Sequence, residues 1–317
     1  MNIYPMKLRP VLKSYIWGGG RLAERYGKTG TGNVAESWEL ACNKQGESVV
    51  DNGAFAGRTL SELLGEHPGW IGSRAGQFEF FPVLVKLIDA AGDLSVQVHP
   101  DDAYALSREG QYGKTEMWYV VESEKGAGMY CGFRKPVDKS ELEKSLRDGT
   151  VTDLLNFVEV KRGDVLFIPS GTVHAICKGV VVYEVQQNST LTYRLYDYGR
   201  KGADGKEREL HIDKALEVSD TSKVCRPGDG VKEISDGVTE LASCRYFTSV
   251  RYDAKRCRSA YVSDASFSAF TCVDGSGSIS VGGVICDVCA GDTFFVPAGA
   301  GEVVFGGDAV LIEAKTV

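Results

Sequence analysis

Hydrophobic and polar positions in this chain alternate over short distances far more often than they follow a helical period. Phe78 to Gln97 reads as strand broken at Ala90-Ala91-Gly92-Asp93. Met117 to Glu122, Gly128 to Phe133, Val165 to Pro169, Ala175 to Cys177 and Val180 to Gln187 are further apolar runs, most of them bounded by Gly, Pro or Asp, as strands are. Helical patterns are few. Thr59 to Trp70 predicts a helix, with Thr59 as its cap, Glu62 three residues on and Pro68 at its end. Pro100-Asp101-Asp102 opens a short helix to about Arg108, and His211 to Val218 is another. The charged stretch Asp138 to Phe157 predicts two helices broken at Gly149, with a solvated face over Asp138 to Asp148. Lys201 to Glu209 reads as a polar loop.

A repeat organises the whole. Gly163-Asp-Val-Leu-Phe-Ile-Pro-Ser-Gly-Thr-Val-His174 recurs 128 residues later as Gly291-Asp-Thr-Phe-Phe-Val-Pro-Ala-Gly-Ala-Gly-Glu302. A Gly-Asp turn, an apolar strand and a Pro-x-Gly turn occur twice, which predicts two β-barrels of one architecture. The second copy carries Glu302 where the first carries His174. The expected division is residues 1–220 as a catalytic domain with helical insertions, 221–236 as linker and 237–317 as a C-terminal β domain without metal ligands.

Composition narrows the function classes. The chain has 317 residues with 36 Lys+Arg against 43 Asp+Glu, a net charge of −7, and no basic stripe, so nucleic acid is not an expected partner. The longest apolar stretch, Phe78 to Ile88, contains Glu79, Pro82 and Lys86 and is far too short to span a bilayer, so no membrane association is expected. Nothing at Met1 to Pro10 has the apolar core of a signal peptide, and the chain reads as soluble and cytoplasmic. Nine scattered cysteines, an odd number, are expected as free thiols. Cys286-Asp-Val-Cys289 lacks a second pair, and a separation of three on a strand puts the sulfurs on opposite faces.

The chemistry gathers around two histidines. Gln97 and His99 stand at i and i+2, which in a strand share a face. Glu116 opens the next strand, and His174 follows the Pro169-x-Gly171 turn. Two imidazoles, a carboxylate and an amide suit a divalent metal. Zinc fits with an open coordination position; iron and manganese fit the same donors. Lys86 and Glu184 interrupt apolar runs, where a charge is costly unless it is paired or lines a polar cavity. The alternatives are an edge-strand lysine reaching water and an edge-strand carboxylate facing it. Lys114, two residues before Glu116, shares its face if the strand extends that far. Arg194 alternates with apolar neighbours in Thr192-Tyr-Arg-Leu-Tyr196. Trp17 fits a core aromatic as well as a pocket wall, and Trp38 and Trp118 read as core.

The segment Gly163-x5-Pro169-x-Gly171-x2-His174 resembles the second motif of the cupin superfamily, and Gly92…Gln97-x-His99…Glu116 a variant of the first. With Tyr15-Ile-Trp-Gly-Gly19, Ala35-Glu-Ser-Trp-Glu39, Gly113-Lys-Thr-Glu116, Gln187-Asn-Ser189 and Thr192-Tyr-Arg-Leu-Tyr-Asp197, the chain resembles the short bacterial branch of the type I mannose-6-phosphate isomerases. The resemblance is dense from about residue 4 to 218 and weaker beyond. It implies an all-β fold of two cupin-like jelly-roll barrels with small helical insertions. It also implies one Zn2+ per chain on Gln97, His99, Glu116 and His174. Arg194 and Lys114 would act on an enediol with Glu184 assisting, and Trp17, Glu36 and Lys86 would bind the sugar phosphate. A monomer or weak homodimer is expected. One departure stands out: many relatives carry Asp after Asn-Ser, where this chain has Thr190. That departure keeps open a non-catalytic sugar-phosphate or metal-binding cupin. An iron cupin oxygenase is the third reading, weakened by Gln97 in a site that normally is His-rich.

Overall fold

The computed structural model describes residues 3–202, 205–222 and 224–317. Two β-sandwich barrels make up the chain, and the helices are short, as the periodicity predicts. In the first barrel a six-stranded sheet runs Val165–Ile168, Glu116–Ser123, Val180–Gln187, Val83–Ala90, Glu36–Leu40 and Val11–Lys13. It faces a five-stranded sheet of Leu155–Glu159, Gly128–Phe133, His174–Ile176, Val96–Val98 and Tyr193–Tyr196. Ile88, Trp118, Val120 and Val182 from the one pack against Met129 and Ile176 from the other.

The six-stranded sheet is covered on its second face too. Val85, Leu87, Met117 and Tyr183 point away from the first barrel and share a core with Phe295, Ile312 and Ala314 of the second. Both central strands, Val83–Ala90 and Val180–Gln187, are therefore buried along their whole length. This explains their unbroken apolar runs, which a half-solvated sheet would not need. It also means that Lys86 and Glu184 have no route to an outer solvated face.

The second barrel pairs an eight-stranded sheet with a four-stranded one, around Phe270, Phe294, Ile279 and Phe305. The N-terminal strand Met6–Arg9 joins its larger sheet, with Met6 opposite Phe295. Strand Lys232–Ser235, within the stretch expected as linker, pairs with Val238–Ser243 in the same sheet. The repeated motif has the same form twice: Val165–Ile168, a turn, then His174–Ile176, and Thr293–Val296, a turn, then Gly301–Gly307. Glu302, in the place of His174, faces solvent.

Two expectations need correction. The stretch Asp138–Phe157 is not two helices. Helix Lys139–Asp148 ends at Gly149, whose φ of 69° closes it with a left-handed cap, and after one 3-10 turn the chain enters strand Leu155–Glu159. The cysteines are not all free either. Cys131 and Cys225 form a disulfide, and the other seven are free. The bonded pair is 94 residues apart in sequence, so spacing gives no hint of it. The helix at Leu60–Glu66 keeps its predicted capping box: Thr59 accepts from the Glu62 amide and Glu62 accepts from that of Thr59. Among the described residues no helix is long and apolar enough to cross a membrane.

Candidate metal centre

Strand alternation delivers the site. In Val96–Val98 the two valines face outward against the helices, joining Leu142 and Ala215 in one core, so Gln97 between them faces the barrel interior. His174 sits directly opposite Gln97, and Arg194 pairs with Gln97 from the other side. On the facing sheet, Trp38, Lys86, Glu184 and Trp118 form one cross-strand row. Glu116, two residues from Trp118, lies on the same face.

His99, Glu116 and His174 are buried, and one donor atom from each lies within 4.8 Å of the others. His174 Nε2 is 3.3 Å from Glu116 Oε1 and 3.3 Å from the Gln97 amide nitrogen. The Thr172 carbonyl accepts a hydrogen bond from His174 Nδ1 at 2.8 Å, which fixes the tautomer and leaves Nε2 as the free lone pair. Glu116 Oε1 is buried with no aligned hydrogen-bond donor among the described residues. Buried acceptors without donors are rare, and a cation answers the deficit. The donor set fits a divalent ion, with Gln97 able to turn its amide oxygen toward the same point.

Lys114 stands just before the strand that Glu116 opens, yet its ammonium reaches the cluster. Nζ is 2.6 Å from Glu116 Oε2 and 3.1 Å from His99 Nε2. Its loop is pressed onto Pro100–Asp102 by Gly113. A Cβ at that glycine would lie 2.4 Å from the Asp101 carbonyl carbon, so only glycine permits the approach. The Lys114 amide then bonds the Pro100 carbonyl, tying this loop to the segment that carries His99.

Lys86 and Glu184 are partners, which removes the reading of both as edge charges. Lys86 Nζ is 3.1 Å from Glu184 Oε1 and 3.5 Å from Glu36 Oε2. Trp118 Nε1 donates to the other oxygen of Glu184 at 2.8 Å, and Trp38 Nε1 donates to Glu36. Burial disfavours the Lys86 ammonium, but the two carboxylates outweigh it and hold the pKa above the ordinary lysine range. Burial likewise pushes the Glu184 carboxyl up, and Lys86, Lys114 and Trp118 pull it well below the usual carboxylate range. Glu116 goes the other way: its burial exceeds the pull of Lys114, so its pKa is raised. Burial and then Lys114 keep His174 down at about 3 and His99 far below an ordinary imidazole.

Glu36, Lys86, Gln97, Lys114 and Glu184 line a cavity of about 290 Å³ together with Tyr15 and Trp17. The two rings stack with centroids 5.4 Å apart. Sequence reasoning did not place Tyr15, Ser95, Trp118 or Arg208 in the site, nor the apolar Ile88, Leu94 and Ile176. Arg208 lies on the polar segment after Lys201, where composition suggests only a loop. It pairs with Asp197, which also holds Arg200. Arg194 donates to Ser95 and to the Glu209 carbonyl. Burial, then the nearby Arg208 guanidinium, lowers the Arg194 pKa. Arg194 and Arg208 thus bring two guanidinium groups into one pocket. Thr190 is in the wall, its hydroxyl bonded to Gln45 and Gln111.

Two family descriptions match the chain: the phosphomannose isomerase type I catalytic domain over residues 6–131 and the mannose-6-phosphate isomerase cupin domain over 237–315. Mannose-6-phosphate isomerase ManA of Bacillus subtilis (strain 168) is 39% identical over 305 residues, covering 95% of this chain and 96% of that protein. A crystal structure of the mannose 6-phosphate isomerase from Bacillus subtilis matches with a TM-score of 0.88 at 36% identity, covering 98% of this chain and 99% of that one. A mannose 6-phosphate isomerase bound with zinc and yttrium shares the fold, with a TM-score of 0.79 at 17% identity over 98% of this chain and 99% of that one. Identity at this level along nearly the whole length, with the buried His-Glu-His cluster in the first barrel, means that the chain belongs to the type I phosphomannose isomerases.

Proposed function

We propose that this enzyme is a zinc-dependent aldose–ketose isomerase that interconverts mannose 6-phosphate and fructose 6-phosphate through an enediol. The observation that carries the reading is the buried His99–Glu116–His174 cluster, its donor atoms within 4.8 Å of one another, beside a cation-lined polar cavity. Gln97, His99, Glu116 and His174 would hold the zinc, which when bound polarises the substrate's carbonyl and hydroxyl oxygens. The zinc-bound relative of the same fold supports the choice of metal.

The protein's own groups account for the rest. Arg194 and Arg208 at the far side of the cavity receive the phosphate, while Tyr15 and Trp17 wall the sugar. Lys86, kept charged by Glu36 and Glu184, offers its ammonium to the oxygens that gain charge in the enediolate. Glu184 is held too acidic to be an efficient base, so its role is to keep Lys86 charged and placed. Lys114, beside the metal donors, is the group that moves the proton between C1 and C2. Changing His174 to Ala tests the core of this reading. The variant should fold, bind no zinc in the site and lose turnover of mannose 6-phosphate. A variant that retains full activity without metal overturns it.

A further inference from the structure

The disulfide lies against the strand that carries His174. Cys131 is the direct partner of His174 in the antiparallel pair of Gly128–Phe133 with His174–Ile176. The next residue, Gly132, donates its amide to the Val173 carbonyl at 2.8 Å. Cys225 comes from the segment that leaves the first barrel, and it packs into the same core as Trp118 and Ile176. The junction is reinforced on both sides. Val224 bridges Gly132, and Asn156 Nδ2 donates to the carbonyls of both cysteines, at 3.3 and 3.4 Å.

A separate cavity of about 340 Å³ reaches this junction from outside the catalytic pocket. Cys225, Arg226 and Asp229 line it, and so does Thr172. Thr172 is the residue whose carbonyl orients His174, and its own hydroxyl is buried without a partner. The cross-link and the backbone group that aims a metal donor thus share one wall. We propose that the Cys131–Cys225 disulfide positions His174 and makes metal retention depend on the thiol redox state of the protein. The proposal rests on the metal reading of the site given above.

The chemistry is thiol–disulfide exchange with a dithiol reductant. Its thiolate enters by the outer cavity and attacks Cys225 Sγ. The Cys225–Cys131 bond breaks, and Cys131 leaves as a thiolate that takes up a proton. The second thiol of the reductant then displaces Cys225, beside the Arg226 cation. The reductant ends as a disulfide and the protein as two thiols, with two electrons transferred. Afterwards the non-covalent ties between the 224–226 segment and Gly128–Phe133, among the described residues, are the Val224 bridge, the Asn156 bonds and the core that Cys225 shares with Met129. The 224–226 segment, which shares the cavity wall with Thr172, is then no longer covalently tied to the strand opposite His174.

The test uses the zinc-loaded full chain. Alkylation in denaturant followed by mass spectrometry should label seven of the nine cysteines before reduction and all nine after it. Zinc release to a chromophoric chelator is then timed for the oxidised protein and for protein that was reduced, desalted without oxygen and reloaded. Loss of groups that orient a ligand typically weakens metal binding about 10- to 100-fold, so release should be at least about tenfold faster after reduction. Cys225→Ser should release zinc at the fast rate with or without reductant. Thr59→Ala, which weakens a helix cap far from the site, should release it at the slow rate, separating positioning from general stability. Equal rates for oxidised and reduced protein, or nine labelled cysteines before reduction, would overturn the proposal. A protein that takes up no zinc overturns the metal reading and the positioning role with it, while the alkylation count judges the cross-link by itself.

Discussion

Replacing Lys86 with Met should destabilise the protein in a pH-dependent way. The ammonium lies 3.1 Å from Glu184 and 3.5 Å from Glu36, and Lys86 and Glu184 are 7% and 3% exposed. Methionine fills the same space without charge and leaves Glu184 buried with Trp118 as its remaining hydrogen-bond donor. Breaking a buried pair by removing one partner costs about 3–5 kcal/mol. The lower end, about 3 kcal/mol, applies because Glu184 can take up a proton and Lys114 still attracts it. With Lys86 gone, burial dominates and the folded pKa of Glu184 rises above its unfolded value. Stability from such a group is present at low pH and is lost as pH rises through the folded pKa. The variant should therefore be closest to the native protein at about pH 5 and furthest from it at about pH 8. Urea denaturation of the metal-free proteins at both pH values measures this. Lys86→Met/Glu184→Gln should recover most of the loss at the higher pH. A deficit that does not change with pH, or a double variant no better than the single one, would refute the reasoning.

Other outcomes follow from the same geometry. Arg208→Ala should raise KM for the sugar phosphate about 10- to 100-fold with little change in kcat, since a hydrogen bond to a charged group contributes about 1.5–3 kcal/mol. Steady-state kinetics reads it, and a fall in kcat alone would place Arg208 elsewhere. Zinc affinity should fall on acidification as Glu116, raised by burial, takes up one proton, while the depressed imidazoles stay neutral. Calorimetry in buffers of different ionisation enthalpy counts that proton; two protons lost around an ordinary histidine pKa would contradict it. Thr59→Ala should cost about 1 kcal/mol in urea denaturation by removing the capping box, with catalysis unchanged.

Much of the site was legible because strand alternation is a strict rule. Gln97 faces the interior by alternation, with His99 just past the strand end, and the interrupted apolar runs at Lys86 and Glu184 suited a polar cavity as well as an edge strand. The repeat at Gly163 and Gly291 exposed the two barrels for the same reason: the turns that close them need the same residues. What escaped depends on pairing across long separations. Arg208 enters the pocket because Asp197 and Arg194 hold its segment there, and a polar loop carries no periodicity to announce that. The Cys131–Cys225 bond joins parts of the chain that spacing cannot relate. Leu155–Glu159 reads as helix because the charged stretch before it is helical, and its burial carries no clean strand signal: Leu155 is buried while Phe157, on the same face, is exposed.

The most direct measurement is turnover of mannose 6-phosphate by the purified protein, with its metal content determined on the same sample. Fructose 6-phosphate should form with about one zinc per chain, cease on chelation and return when zinc is restored. Full turnover by metal-free protein, or none with the site filled, would contradict the account.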